Sequence, residues 1–306
     1  MTFRVKTLIN RSLTLLTIGL ITGLQANLTA REEIKELVIE GGGQRVKLSG
    51  KITFVATRSG HKEIYVCNAD GSKVQRITND SGINVSPALS PDRTRIIHTG
   101  YRSGFADIYQ LNLKSGNRQR IIKAPGTNSG AVFSPDGNRI ALTMSFVGNP
   151  EIFVAEIGNP KAVKRITTTS GVETSPTWSA DGKFIAYSSD AGGRPLIYIT
   201  PAAGGRPQKL GSSGYNHCTE PSWSPDGKRM AFNIRKDGGY SVAVYNFKDR
   251  TTKLVGRGED PSWAPDSIHL VYSTGKSLVI TDALGGATTP IVSGLGRISQ
   301  PNWSRR

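Results

Sequence analysis

One phrase recurs along this chain at a spacing that few folds accommodate. Its consensus is Ser-Pro-x-Trp-Ser-Pro-Asp-Gly, followed by a short alternating apolar stretch. The copies centre on Leu89, Phe133, Trp178, Trp223, Trp263 and Trp303, at intervals of 44, 45, 45, 40 and 40 residues. A period of this length, with strand and turn chemistry inside every unit, is the mark of a repeat architecture built from four-stranded blades.

The unit running from Glu220 to Gly256 shows the pattern. Pro221-Ser222-Trp223 reads as a first strand. Ser224-Pro225-Asp226-Gly227 is a turn, with Ser, Pro and Gly each at the position its backbone favours. Residues 229–232 alternate as a second strand, 235–239 read as a loop, 241–245 as a third strand and 252–255 as a fourth. The other units depart only locally. Arg93 and Ser267 stand where the turn has Gly, Ala180 replaces the turn Pro, and Leu89 and Phe133 replace the Trp.

The chain ends carry a closure argument. Pro301-Asn302-Trp303-Ser304 is a first strand with no second, and residues 51–55 are a second strand with no first. Joined, they complete a blade. The expectation is an all-β, six-bladed β-propeller over residues 51–306, closed by pairing of the N- and C-terminal strands so that no sheet edge stays open at the seam.

Residues 1–30 read as a signal peptide rather than as part of this fold. Arg4, Lys6 and Arg11 precede an apolar stretch from Leu13 to Leu24, and small residues follow. The stretch is short for a membrane span, and no later segment is long and apolar enough to cross a bilayer. The expectation is an exported, periplasmic, monomeric protein with an extension at 31–50. Without residues 1–30 the formal charge drops by three, from +16 to +13. Lys and Arg are spread through every repeat instead of forming one cluster, which argues against nucleic acid as partner. The two cysteines, Cys67 and Cys218, fall in distant parts of the repeat register, beyond bridging distance, and are expected as free thiols.

No catalytic signature is present: no Gly-x-Ser-x-Gly, no His-Glu-x-x-His and no phosphate loop. His98 takes a packing position, His269 aligns with an exposed strand position, and His217 lies near the axis. In a propeller the first strands line a central channel. Three residues before each aromatic, that ring reads Ser86, Gly130, Ser175, Glu220, Asp260 and Gln300, with Asn84, Asn128, Glu173, His217 and Glu259 nearby. Half of the mouth is therefore acidic. Glu220 and Asp260 supply oxygen ligands suited to Ca²⁺ or to ordered water; no other cofactor is expected. The loops between second and third strands open on the same face and carry Arg58, Arg102, Arg194 and Arg235, a basic rim. A partly acidic mouth inside such a rim suits a protein or peptide partner.

The repeated Trp-Ser-Pro-Asp-Gly-Lys, Arg58-Ser-Gly-x-x-Glu-Ile-Tyr65 and Asn68-Ala-Asp-Gly-Ser72 resemble the propeller of the TolB family over residues 51–306. The resemblance implies a non-catalytic scaffold of the Tol–Pal envelope system, with a Pal-like lipoprotein bound at the channel mouth. Residues 36–43, Glu-Leu-Val-Ile-Glu-Gly-Gly-Gly, resemble the leading segment of mature TolB proteins, which implies a TolA-like contact. TolB proteins carry an α/β domain between that segment and the propeller; only residues 44–50 lie between them in this chain. Two other readings use the axial funnel: a propeller enzyme such as a lyase or glycan hydrolase, and a glycan or small-ligand sensor.

Overall fold

The structure is a computed structural model that describes residues 48–304, apart from Ser59, Ser81, Ser103, Ser212 and Ser213. The expected signal peptide and the segment 36–43 lie outside the described residues. The described residues form six antiparallel sheets of four strands each. Blade 1 holds Lys51–Ala56, Glu63–Asn68 and Gln75–Arg76; blade 2 holds Ile83–Leu89, Arg95–Tyr101, Ala106–Asn112 and Arg118–Ile122. Blade 3 follows as Asn128–Phe133, Arg139–Met144, Glu151–Glu156 and Asn159–Arg165, and blade 4 as Glu173–Trp178, Phe184–Ser189, Leu196–Pro201 and Gln208–Lys209. Blade 5 is Cys218–Trp223, Arg229–Lys236, Gly239–Asn246 and Thr252–Arg257; blade 6 is Glu259–Trp263, His269–Ser273, Ser277–Asp282 and Thr289–Ser293. The last strand, Ile298–Trp303, pairs with Lys51–Ala56 as the inner strand of blade 1. Each inner strand touches the next around the axis, and the strand 298–303 returns the contact to blade 2.

The recurrent turn is held by its serine. Ser90, Ser134, Ser179 and Ser224 each accept a hydrogen bond from the N–H five residues on, at 2.9, 3.0, 2.9 and 2.9 Å. Each hydroxyl also donates to the Asp two residues later. Ala264 breaks the pattern in blade 6, where Asp266 alone accepts from Ile268 N at 2.8 Å and His269 N at 3.0 Å. At the seam the motif is split between the chain ends. Ser304 Oγ accepts from Lys51 N at 3.1 Å, and Ser304 N donates to Lys51 O at 2.9 Å.

The core lies between blades rather than within one. Blades 6 and 1 share Val271, Ile280, Ile52, Phe54 and Trp303, and similar layers join 2 to 3, 3 to 4, 4 to 5 and 5 to 6. The indole N–H groups of Trp178 and Trp263 donate to Val132 O and Ser222 O on the preceding inner strands, at 3.2 and 2.9 Å. Trp303 donates to Ser49 O at 2.9 Å, and Leu48 is buried, so the end of the 31–50 extension is built into the seam.

Three expectations change. In blade 5 the second and third strands run on to Lys236 and Gly239, because Asp237 and Gly238 both adopt positive φ (50° and 75°) in a two-residue hairpin turn. His269 is buried, with Nδ1 2.7 Å from Asp266 Oδ2. The aligned arginines are not plain surface residues either. Arg95, Arg139 and Arg229 lie over the rings of Phe133, Trp178 and Trp263 in the next blade, at 5.5, 4.8 and 5.1 Å from the centroids. Both cysteines are buried and neither is disulfide-bonded, as their distant register implied, and burial pushes the Cys67 thiol up to about 12.

Trp303 joins the seam to the core, so Trp303→Ala is expected to cost about 3–5 kcal/mol. The measure is the urea midpoint of unfolding. A midpoint equal to that of the unaltered chain would refute the role assigned to the seam.

Candidate functional site

Each inner strand breaks register at the same place, between the residues four and one before its last residue. There the residue three before the aromatic takes a left-handed conformation. Ser86, Gly130, Ser175, Glu220, Asp260 and Gln300 all have φ between 51° and 62°. Only one of the six is glycine, and the other five each precede a proline (Pro87, Pro176, Pro221, Pro261 and Pro301). Both features oppose this geometry, at about 1–3 kcal/mol per strained residue. Neighbouring blades hold it in place. Gly130 N donates to Thr99 Oγ1 at 3.1 Å, Glu220 N to Ser188 Oγ at 3.2 Å and Asp260 N to Asn233 Oδ1 at 2.9 Å. Gln300 N donates to Asp260 Oδ2 and Ser86 N to Gln300 Oε1, both at 2.9 Å. These bonds hand the ring from blade to blade.

The ring surrounds a funnel of about 240 Å³, lined by the inner strands and by Ser86, Ser175, Glu220, Asp260 and Gln300 among others. Glu220 is open to the water of the lumen, yet the narrow wall encloses it on every side. Loss of hydration, and then the charge of Asp260, push its carboxyl up to about 7 against a hydrogen bond from Ser175. Loss of hydration likewise lifts Asp260 to about 6, against the Gln300 N–H, with Glu259 adding to the rise. The two carboxyls titrate as a pair. Neither has an ion-pair partner among the described residues, whereas Glu259 Oε1 accepts from Arg297 at 3.1 Å. Among the described residues no three His, Cys, Asp or Glu side chains are grouped to hold a metal.

The rim is arranged as expected only in part. Arg58, Arg194 and Arg235 are exposed, while Arg102 shares the Asp80 carboxylate with Arg118. His217 is half-buried, its ring 6.3 Å from that of Tyr240. His98 is buried against Tyr109, and burial followed by the charge of Arg118 drives its pKa down to about 3.

Asn84, Asn128 and Glu173 are not at the mouth. All three are fully buried between blades, against acidic residues near the start of the third strands. Glu63, Asp107 and Glu151 open the third strands of blades 1 to 3 and pair with Arg76, Arg120 and Arg165 at 2.9, 3.2 and 2.6 Å. Asn84 Nδ2 donates to Glu63 Oε2 at 3.1 Å, and Asn128 Nδ2 to Asp107 Oδ1 at 3.4 Å. At the third interface Glu173 replaces the amide. Its Oε1 accepts from Thr169 and Ser189, both at 2.6 Å, while Oε2 of Glu173 and Oε2 of Glu151 both lack a donor among the described residues. One proton shared by the two carboxyls satisfies both atoms. Burial, reinforced by Glu151, raises the Glu173 pKa. The spacing from each aromatic hid this, because the position three before it faces the axis and the position five before it faces the adjoining blade. A repeated signal did exist: the acidic residue before the third-strand Ile at 63, 107 and 151.

The stabilising form of Glu173 is the protonated one. Its contribution is complete below the unfolded carboxyl pKa and is lost as pH rises through the elevated folded value. Glu173→Gln restores the amide donor used at the other two interfaces. The variant is expected to melt above the unaltered chain at about pH 8, with the two converging near about pH 4. A thermal melt at both pH values checks this, and an equal gap at both would refute the shared proton.

The fold and funnel define a class: a six-bladed propeller whose near-identical blades converge on a wet, partly acidic axial mouth. The sequence profile of the TolB beta propeller domain matches residues 42–306, and the chain belongs to that family. The solved structure of TolB from Acinetobacter baumannii superposes with a TM-score of 0.79 at 28% identity, covering 86% of this chain and 68% of that one. A protein TolB homolog of Chlorobaculum tepidum is 48% identical over 59 residues, 19% of this chain and 14% of the relative. The Tol-Pal system protein TolB of Geobacter sulfurreducens is 50% identical over 50 residues, 16% of this chain and 12% of the relative. These local matches span about one seventh or less of the curated relatives' length.

Proposed function

We propose that this chain is an exported, periplasmic, non-catalytic scaffold of the cell envelope, and that its funnel mouth receives a protein partner in a Tol–Pal-type assembly. The observation that carries the reading is the strained ring. Five non-glycine residues are held at positive φ around one mouth, and the ring position is where the blades differ most in chemistry. Family membership and relatives named for the Tol-Pal system support the same direction. On this reading a Pal-type lipoprotein docks at the ring and the basic rim, and the segment 36–43 supplies a TolA-type contact. The basic leader at residues 4–11 with its apolar stretch supports export, and no helix of the described residues is long and apolar enough to cross a membrane.

Affinity capture from an envelope extract of the source organism, with the full mature chain as bait, tests the scaffold reading. A Pal-type lipoprotein is expected, and charge reversal at Glu220→Lys with Asp260→Lys should abolish its recovery. The remote turn variant Lys228→Ala should leave recovery unchanged. Capture of no envelope protein, or capture indifferent to the mouth, overturns the reading. The Glu220–Asp260 pair would also hold Ca²⁺ through carboxylate oxygens. Calcium should then raise the melting temperature of the unaltered chain and not that of the Glu220→Ala, Asp260→Ala variant. A rise in both would assign the ion elsewhere.

A further inference from the structure

The mouth face is not uniform. Ile83, Tyr101 and Phe105 of blade 2, Phe146 and Val147 of blade 3, and Val172 at the entry to blade 4 are 45, 40, 62, 42, 40 and 42% exposed. All six open on this face. Ile83 pairs with Tyr101 where the inner strand begins and the second strand ends. Phe105, Phe146 and Val147 sit in loops from second to third strands, and Val172 immediately precedes the inner strand of blade 4. Three consecutive blades therefore present an apolar arc. Blades 5 and 6 carry Glu220 and Asp260, two carboxylates with no ion-pair partner among the described residues, Arg297 acting on Asp260 only from a distance while it pairs with Glu259.

The funnel wall adds an independent feature. Thr143 lines the funnel, is 3% exposed, and its Oγ1 has no hydrogen-bond partner among the described residues. Thr99 and Ser188 occupy the same register in neighbouring blades, and their hydroxyls accept from Gly130 N and Glu220 N. Thr143 thus leaves a buried hydroxyl aimed into a cavity whose far side is acidic. An unpaired buried hydroxyl is destabilising, and a polar ligand group would satisfy it.

We infer that the mouth takes a partner segment that inserts one lysine or arginine side chain into the funnel between Glu220, Asp260 and Thr143, with apolar or aromatic neighbours lying on the arc of blades 2 to 4. The inference rests on the mouth being the partner-binding face and specifies what that face reads. The funnel, at about 240 Å³, is narrow enough to suit one long side chain rather than a folded element. Complementarity selects a cation, since two adjacent carboxylates repel each other and a third anion would add to that. Loss of hydration lifts both carboxyls, with the charge of Asp260 adding to the rise at Glu220 and Arg297 opposing it at Asp260. The exposed Arg58, Arg194 and Arg235 limit the total charge of the segment. They repel a polybasic stretch, so the inserted residue should be a lone cation in a neutral or acidic segment.

The test uses the full mature chain, EDTA to remove divalent cations, and short fluorescent peptides read by anisotropy. The peptides place lysine, arginine, acetyl-lysine or norleucine at the centre of a segment flanked by Phe and Leu. Lysine or arginine should bind at least about tenfold more tightly than acetyl-lysine. Glu220→Gln with Asp260→Asn should bring that ratio close to one without weakening the acetyl-lysine peptide. Thr143→Val should weaken the lysine peptide and not the norleucine peptide, and Phe105→Ser with Phe146→Ser should weaken all peptides alike. Equal affinity for lysine and acetyl-lysine, a ratio unchanged in the carboxylate variant, or no binding at millimolar peptide overturns the inference. Failure of the scaffold reading is separable. If envelope-partner capture depends on Phe105 and Phe146 but survives Glu220→Gln with Asp260→Asn, the mouth remains the partner face and only the inserted cation falls. If capture depends on neither, both fall.

Discussion

Everything in this molecule depends on one long-range contact, the pairing of the strand 298–303 with the strand 51–56. It places Trp303 in the core shared by blades 6 and 1 and lets Ser304 complete a turn motif that the chain ends had divided. Each blade buries its faces against its neighbours, so a ring with a gap would leave two faces exposed and a run of unpaired strand groups. Closure also sets how closely the six inner strands approach the axis. The hydrogen bond from Ser86 N to Gln300 Oε1 crosses the seam, so the ring at the mouth is complete only when the ends have met.

The ring shows how closure becomes chemistry. Six strands converging on an axis cannot all continue as regular extended chain, and each bulges at the same residue. The strain is local, but the groups that hold it belong to other blades: Thr99 for Gly130, Ser188 for Glu220, Asn233 for Asp260. The bulge directs one side chain per blade at the lumen. Turn serines, aromatics and prolines are nearly interchangeable between blades, so this is where six similar units become different. Glu220 and Asp260 meet in a narrow lumen, which raises both carboxyls, while the apolar side chains of blades 2 to 4 gather on the opposite part of the same face.

Much of this was legible in the residues, and the reasons for what was not are physical. The blade count, the split seam and the ring position follow from turn chemistry that operates over five to eight residues, such as Ser224 and Asp226 binding their own turn. Asn84, Asn128 and Glu173 were misplaced because their partners, Glu63, Asp107 and Glu151, lie about twenty residues back in the preceding blade. His269 was misplaced for a similar reason: the aligned Arg95, Arg139 and Arg229 look like surface cations until the next blade supplies the aromatic ring they cover.

The sequence by itself determined the propeller, its six blades and the seam between its ends, since strand alternation and turn preference are properties of short segments and repeat with the period. Only the tertiary structure decided which polar side chains face water. It made Asn84 and Glu173 interblade contacts, left Glu220 and Asp260 together in the lumen, and gave the Thr143 hydroxyl no partner among the described residues. Those outcomes depend on distances between residues tens of positions apart, and these are fixed only when the ring closes.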